Sequence, residues 1–250
     1  MNILESVFLS IVQGISEWLP ISSSGHLVLF ESWLQVEANL SFDVFLHIAS
    51  LVVILFFFRK EIVEIVKLGL TKQGKDNPRK HWLWYIALSS VFTVAIALIL
   101  YPKIDYFRTP GAVADWLLIT TALVFSTRFV VSKKEITWWH AVALGLAQGF
   151  AVLPGLSRSG TVIAIALAMR IKKEQAFDYA FLVAIPAIFG SFILTVGDLS
   201  FSWVYLLAFV VTALVSYLAL SLLKFVMQRN KFYLFFIYTL ALSLIIKFLL

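Results

Sequence analysis

Residues 12–28 read VQGISEWLPISSSGHLV, and residues 147–163 read AQGFAVLPGLSRSGTVI. In both, Gln-Gly is followed by Leu-Pro and then by a Ser-rich turn ending Ser-Gly. Gln13 and Gln148 are 135 residues apart, as are Gly25 and Gly160. Each segment carries one full charge in an otherwise uncharged run, Glu17 in the first and Arg158 in the second. A repeat whose special residues interrupt apolar segments points to a membrane-embedded site built from two broken helices. Proline removes a donor and clashes with the preceding turn, so Pro20 and Pro154 are the expected breaks.

The surrounding sequence fits that reading. The chain is 61% hydrophobic and 14% charged, with mean hydropathy +0.95, outside the range of soluble domains. Apolar runs at 44–58, 82–100, 113–131, 177–196, 203–223 and 232–250 approach the ~20 helical residues that cross a bilayer core. With the two hairpins they leave no stretch for a soluble domain. The N-terminal MNILESVFLS lacks Lys and Arg before its apolar run and is not read as a cleaved signal peptide. Absence of cysteine removes disulfides, thiolate metal sites and cysteine nucleophiles. The net charge of +6 is assigned to basic loops rather than to nucleic acid.

Those loops set the topology. Residues 59–80 hold seven Lys or Arg, and the connections around 128–134, 170–173 and 224–231 hold nine more. Outside them stand only Lys103, Arg108, Lys247 and the motif residue Arg158. Placing the sixteen on the cytoplasmic side makes the hairpin 2–34 open outward and the hairpin 138–169 open inward. The expected fold is an all-α integral membrane protein with an inverted-topology repeat. It forms a single membrane domain, 1–250. Each half, about 1–131 and 137–250, is a re-entrant helical hairpin plus three transmembrane helices. Trp18, Trp33, Trp82, Trp84, Trp138 and Trp139 are expected near the interfaces, with His81 and His140 beside helix ends. Oligomeric state is not legible.

A carboxylate at the centre of a bilayer costs about 2.5–3.5 kcal/mol on insertion scales and turns toward the protein interior. Glu17 is therefore a partner for Arg158, a metal ligand or an acid/base group. Gln13, one helical turn earlier, supplies a neutral ligand or bonds the turn. Two oxygen-type ligands suit Mg²⁺ or Ca²⁺. Ser22, Ser23 and Ser24 stand where a second half-helix begins, as do Ser157 and Ser159 around Arg158. Serine there is a cap, and a helix N-terminus also receives anions. With a guanidinium between them, two such ends would cradle phosphate oxygens. Ser22, Ser24, Gly25, Ser157, Ser159, Gly160 and Thr161 are the substrate-binding candidates, and Glu17, Arg158 and His26 are catalytic ones. His47, on the next span, is either a supporting residue or a packing one.

QGISEWLPISSSGH together with PGLSRSGT resembles the signatures of the bacitracin-resistance family, the undecaprenyl-diphosphatases. Gln13 and Glu17 match its Glu/Gln-x-x-x-Glu, Pro20 to His26 its Pro-x-Ser-Ser-x-Gly-His turn, and Pro154 to Gly160 its Pro-Gly-x-Ser-Arg-Ser-Gly. FDVFLHIAS is similar to its next helix, and the likeness covers essentially the whole chain. The resemblance implies hydrolysis of a C55 polyprenyl diphosphate to the monophosphate, recycling the lipid carrier for cell-wall glycans and conferring bacitracin resistance. It also implies a divalent metal, Ser23 as nucleophile with proton transfer by His26, and a plasma-membrane site open to the outer face. A metal-activated water is the competing nucleophile. A polyprenyl-phosphate transporter or flippase is the alternative function, since inverted repeats and broken helices are also transporter architecture.

Overall fold

The computed structural model describes residues 2–34, 40–72, 74–195 and 202–249. Among them every regular element is helical, apart from one isolated bridge between Lys134 and Ile171. Helix α1, Ile3–Ser16, starts from a capping box in which the Asn2 side chain accepts the Glu5 N–H at 2.9 Å. It stops just before Pro20, and the chain reverses through Ser22, whose φ is +71°. Helix α2, Ser23–Leu34, returns against α1. Helices α3 (Leu40–Phe57), α4 (Arg59–Leu70), α5 (Trp82–Leu100) and α6 (Pro110–Ser126) follow. Thr109 caps α6, with Pro110 at its first position, where a missing N–H is harmless.

The second hairpin repeats the pattern. Helix α7, Trp138–Phe150, breaks before Pro154, and α8, Arg158–Ala168, folds back on it. The next span is divided into α9 (Lys173–Leu182) and α10 (Ala184–Thr195). Pro186 accounts for the division, because it cannot donate to the Leu182 carbonyl. The neighbouring Val183 carbonyl is taken by the Gln148 side chain at 3.1 Å. Helices α11 (Trp203–Gln228) and α12 (Phe235–Leu249) complete the chain.

Among the described residues four helical stretches are long and apolar enough to cross a bilayer: Trp82–Phe107, Pro110–Phe129, Lys173–Ile193 and Trp203–Gln228. Phe45–Phe57 and Phe232–Phe248, expected as the other two spans, are shorter apolar helices. Val196 and Leu250, the ends of two expected runs, lie outside the described residues. The protein is a multi-pass, all-helical membrane protein.

Packing joins the two halves of the sequence. A Cβ on Gly14 of α1 would lie 2.8 Å from the Val215 Cβ of α11, and one on Gly149 of α7 would lie 2.5 Å from the Ile96 Cβ of α5. Beside these contacts Thr212 donates to the Ser10 carbonyl at 3.3 Å, and Thr93 donates to the Gly145 carbonyl at 3.0 Å. Ser10 and Gly145 are separated by the same 135 residues as the motif glutamines. The small residues at Gly145 and Gly149 thus pack helices within the chain. Helix α12 lies along α6, fixed by Thr121 to Thr239 at 2.8 Å and Ser243 to the Ala114 carbonyl at 2.7 Å.

The tryptophans divide. Trp33, Trp84, Trp138 and Trp139 are exposed, as an interfacial belt requires. Trp18 and Trp82 are fully buried core residues, contrary to that expectation. The ring of Trp18 lies 5.6 Å from that of Phe181, and the ring of Trp82 lies 5.4 Å from that of Tyr179. His140 is buried too; its Nδ1 accepts the Thr137 N–H at 3.0 Å and closes the cap of α7.

Candidate active site at the hairpin tips

The tips of the two hairpins touch. The Ser22 hydroxyl accepts the Gly155 N–H at 3.0 Å, and the Ser159 hydroxyl donates to the Leu19 carbonyl at 3.1 Å. A Cβ on Gly25 would lie 3.2 Å from the Gly155 Cα, and one on Gly160 would lie 3.1 Å from the Pro20 Cβ. Gly155 also has φ +96°, a left-handed conformation glycine adopts freely. Helix α6 backs the junction: Thr120 donates to the Gly155 carbonyl at 3.0 Å while accepting the Ser157 N–H at 3.0 Å.

This contact brings the two lone charges together. An Nη2 proton of Arg158 bonds Glu17 Oε1. The other carboxylate oxygen accepts Ser23 Oγ at 2.6 Å and Gln13 Nε2 at 3.1 Å, with His47 Nε2 at 3.9 Å. The Arg158 guanidinium stands 5.8 Å from the centroid of the Trp18 ring. Both charged side chains are largely shielded, at 6% and 14% exposure, which makes mutual pairing obligatory. Arg158 Nη1 and Gln13 Oε1 are nonetheless among the buried polar atoms without a protein partner. A guanidinium N–H and an amide oxygen left unpaired beside a carboxylate are the groups that an anion and a cation would satisfy.

Ser23 and Arg158 are the first residues of α2 and α8, one from each copy of the repeat. Both therefore sit where backbone N–H groups lack intrahelical acceptors and the helix dipole is positive. The flanking serines hold those ends in shape. Ser22 Oγ accepts the Gly25 N–H at 3.3 Å and lies 3.4 Å from Ser24 Oγ. Ser157 Oγ accepts the Gly160 N–H at 3.1 Å and lies 3.3 Å from Ser159 Oγ. Thr161 Oγ1 is buried and has no protein partner.

His26 is buried on the same helix, one turn after Ser23, but its ring bonds elsewhere. Its Nδ1 is 2.8 Å from the Ser22 carbonyl, and its Nε2 is 2.7 Å from the Tyr238 hydroxyl. The acceptor next to Ser23 is thus Glu17, while the imidazole, expected to assist by proton transfer, bonds the Ser22 carbonyl and Tyr238. Tyr238 and Thr120 had no signal in the sequence, being an ordinary tyrosine and threonine within apolar helices. Among the described residues no group of three or more His, Cys, Asp or Glu could hold a metal ion.

Residues 6–245 match the family model described as Bacitracin resistance protein BacA. The chain is similar to an undecaprenyl-diphosphatase of Methanosphaera stadtmanae, 37% identical over 246 aligned positions that cover 89% of each chain. It is 31% identical to an undecaprenyl-diphosphatase of Methanobrevibacter smithii, with 98% of this chain and 97% of the relative covered. Undecaprenyl-diphosphatase 2 of Halalkalibacterium halodurans is 33% identical, with 99% and 96% covered.

Proposed function

The chain belongs to the bacitracin resistance protein BacA family, and we propose that it is the membrane hydrolase its site chemistry describes. It hydrolyses undecaprenyl, or a related polyprenyl, diphosphate to the monophosphate and inorganic phosphate. This recycles the lipid carrier for cell-wall glycan synthesis. The observation that carries the reading is the Ser23–Glu17–Arg158 constellation, in which a hydroxyl donates to a carboxylate beside a guanidinium with a free N–H.

Each residue then has a task. Arg158 and the N–H groups at the starts of α2 and α8 take the phosphoryl oxygens, the electrostatic work that dominates phosphoryl transfer. Ser23 Oγ attacks the terminal phosphorus and its proton passes to Glu17. The bond to the bridging oxygen breaks, and polyprenyl monophosphate leaves. Water then cleaves the phosphoserine, its proton passing to His26 and the proton held by Glu17 returning to the Ser23 oxygen. Ser22, Ser24, Gly25, Ser157, Ser159, Gly160 and Thr161 shape the cradle around the phosphates.

Gln13 and Glu17 would hold a divalent metal, Mg²⁺ or Ca²⁺. The unpartnered Gln13 Oε1 supports this, and Mg²⁺ is commonly bound through one carboxylate, waters and substrate phosphates. When bound, such an ion neutralises diphosphate charge.

The matched contacts of Gly14 with α11 and Gly149 with α5 support an inverted repeat, each half a re-entrant hairpin plus three spans. With the loop charges, they support a single domain in the plasma membrane whose site opens to the outer side. Phosphate release from polyprenyl diphosphate by detergent-purified protein tests the function. The expected result is turnover in a micelle, abolished in Ser23→Ala at unchanged thermal stability. Binding without phosphate release would instead leave a carrier, and turnover retained in Ser23→Ala would make water the nucleophile.

A further inference from the structure

The His26 ring is gripped from two sides, and only one is on its own hairpin. A carbonyl only accepts, so the 2.8 Å contact with the Ser22 carbonyl places the proton of a neutral ring on Nδ1. Nε2 is then the acceptor, and the hydroxyl 2.7 Å away on Tyr238 is its donor. The two rings are nearly parallel, at 10°, with centroids 5.7 Å apart. Tyr238 comes from α12, 212 residues along the chain.

Its position is enforced. Thr239, Ser243 and Lys247 follow at helical spacing and tie one face of α12 to α6. They reach Thr121 at 2.8 Å, the Ala114 carbonyl at 2.7 Å and Asp115 at 2.6 Å. Tyr238 stands beside that face, half-exposed, with its hydroxyl on the buried imidazole.

We propose that Tyr238 is a positioning residue for the hydrolysis, acting through His26. A hydroxyl donates to a neutral Nε2 and, by turning its O–H bond, accepts from a protonated one. Tyr238 therefore holds the ring in both protonation states, and a proton that reaches Nε2 comes through its hydroxyl, which passes one on as it takes one from water. A phenylalanine fills the same space and does neither. The inference rests on the phosphatase reading for its catalytic meaning and on the hydrogen bond alone for its structural one.

Tyr238→Phe tests it. The expected result is a loss of kcat of about tenfold, the size that one hydrogen bond accounts for, with KM and the thermal midpoint unchanged. Nitrogen-15 spectra of histidine-labelled protein, with the His26 signals identified from their loss in His26→Asn, give a readout independent of turnover. The wild-type protein should show the Nδ1–H tautomer with a hydrogen-bonded Nε2, and Tyr238→Phe should show an Nε2 signal without that bond. A wild-type Nε2–H tautomer, or an unchanged Nε2 signal or kcat in Tyr238→Phe, would overturn the proposal. So would a fall in kcat matched by a fall in the thermal midpoint, which makes the tyrosine structural. A rise in KM alone would make it a substrate contact and overturn it equally. If the wild-type protein hydrolyses no polyprenyl diphosphate, the functional reading fails, while the spectra still decide the hydrogen bond.

Discussion

The Ser22 hydroxyl accepts the Gly155 N–H at 3.0 Å, joining two loop tips that are 133 residues apart. It also accepts the Gly25 N–H and lies in a residue with φ +71°. One side chain thus closes the start of α2 and clasps the other hairpin. Its neighbour Ser23 turns instead to the Glu17 carboxylate at 2.6 Å. Adjacent serines divide scaffold from chemistry.

That division separates two variants. Ser22→Ala strands two buried N–H groups, a loss of about 1–3 kcal/mol for each one left unpaired. Its thermal midpoint and turnover should fall together. Ser23→Ala should keep the wild-type midpoint and lose turnover. Scanning fluorimetry in detergent beside a phosphate-release assay checks both. A Ser22→Ala protein as stable as wild type would show that the tips are held by other contacts.

Gly155→Ala should be among the most damaging substitutions in the chain. The new Cβ would lie 2.4 Å from the Val113 carbonyl oxygen and 2.8 Å from the Trp116 Cβ, at φ +96°. Neither a backbone carbonyl nor a left-handed conformation gives way cheaply. At Gly190 nothing stands within 4 Å of an added Cβ, so Gly190→Ala should be neutral or gain about 0.5–1 kcal/mol of helix stability. Yield of monodisperse protein and thermal midpoint distinguish the two outcomes.

The buried pair of Glu17 and Arg158 predicts a compensation in stability without one in activity. Removing one partner leaves the other charge uncompensated, at a cost of about 3–5 kcal/mol, whereas replacing both by neutral groups does not. Arg158→Gln alone should therefore be less stable than the double variant Glu17→Gln/Arg158→Gln. Neither should release phosphate. A double variant no more stable than the single ones would mean that the two charges do not depend on each other.

Gln13 offers a test of the metal. Gln13→Glu places a second carboxylate beside Glu17, and should lower the Mg²⁺ concentration that gives half-maximal turnover while weakening the metal-free protein. Gln13→Ala should raise it. Titrating Mg²⁺ into EDTA-treated protein measures both. Identical half-saturation in all three proteins would remove Gln13 from the ion's surroundings.

The sequence carried a large share of this. Hydropathy is a local sum, so the helical membrane class could be read directly. Pro20 and Pro154 act on their own backbone, so the hairpin breaks could be placed. Repetition of the motif at a fixed offset tied Glu17 to Arg158 before any coordinate did, because two isolated charges in apolar runs have few alternatives to each other.

Other relationships waited for tertiary structure, for one physical reason. Which hydroxyl meets which acceptor depends on angles and on distances of a few tenths of an ångström between helices remote in sequence, and residue type does not encode them. His26 and Ser23 look like partners by spacing. Yet the packing of α12 on α6 delivers Tyr238 to the imidazole, and the turn at Ser22 delivers Ser23 to Glu17. Likewise Trp18 and Trp82 have the composition of an interfacial belt, but the helices around Phe181 and Tyr179 close over them. The chain alone determined the membrane helices, their breaks and the two charges that must meet; the contact of the hairpin tips decided which atoms face one another, since directional bonds form only once apolar packing has set the geometry.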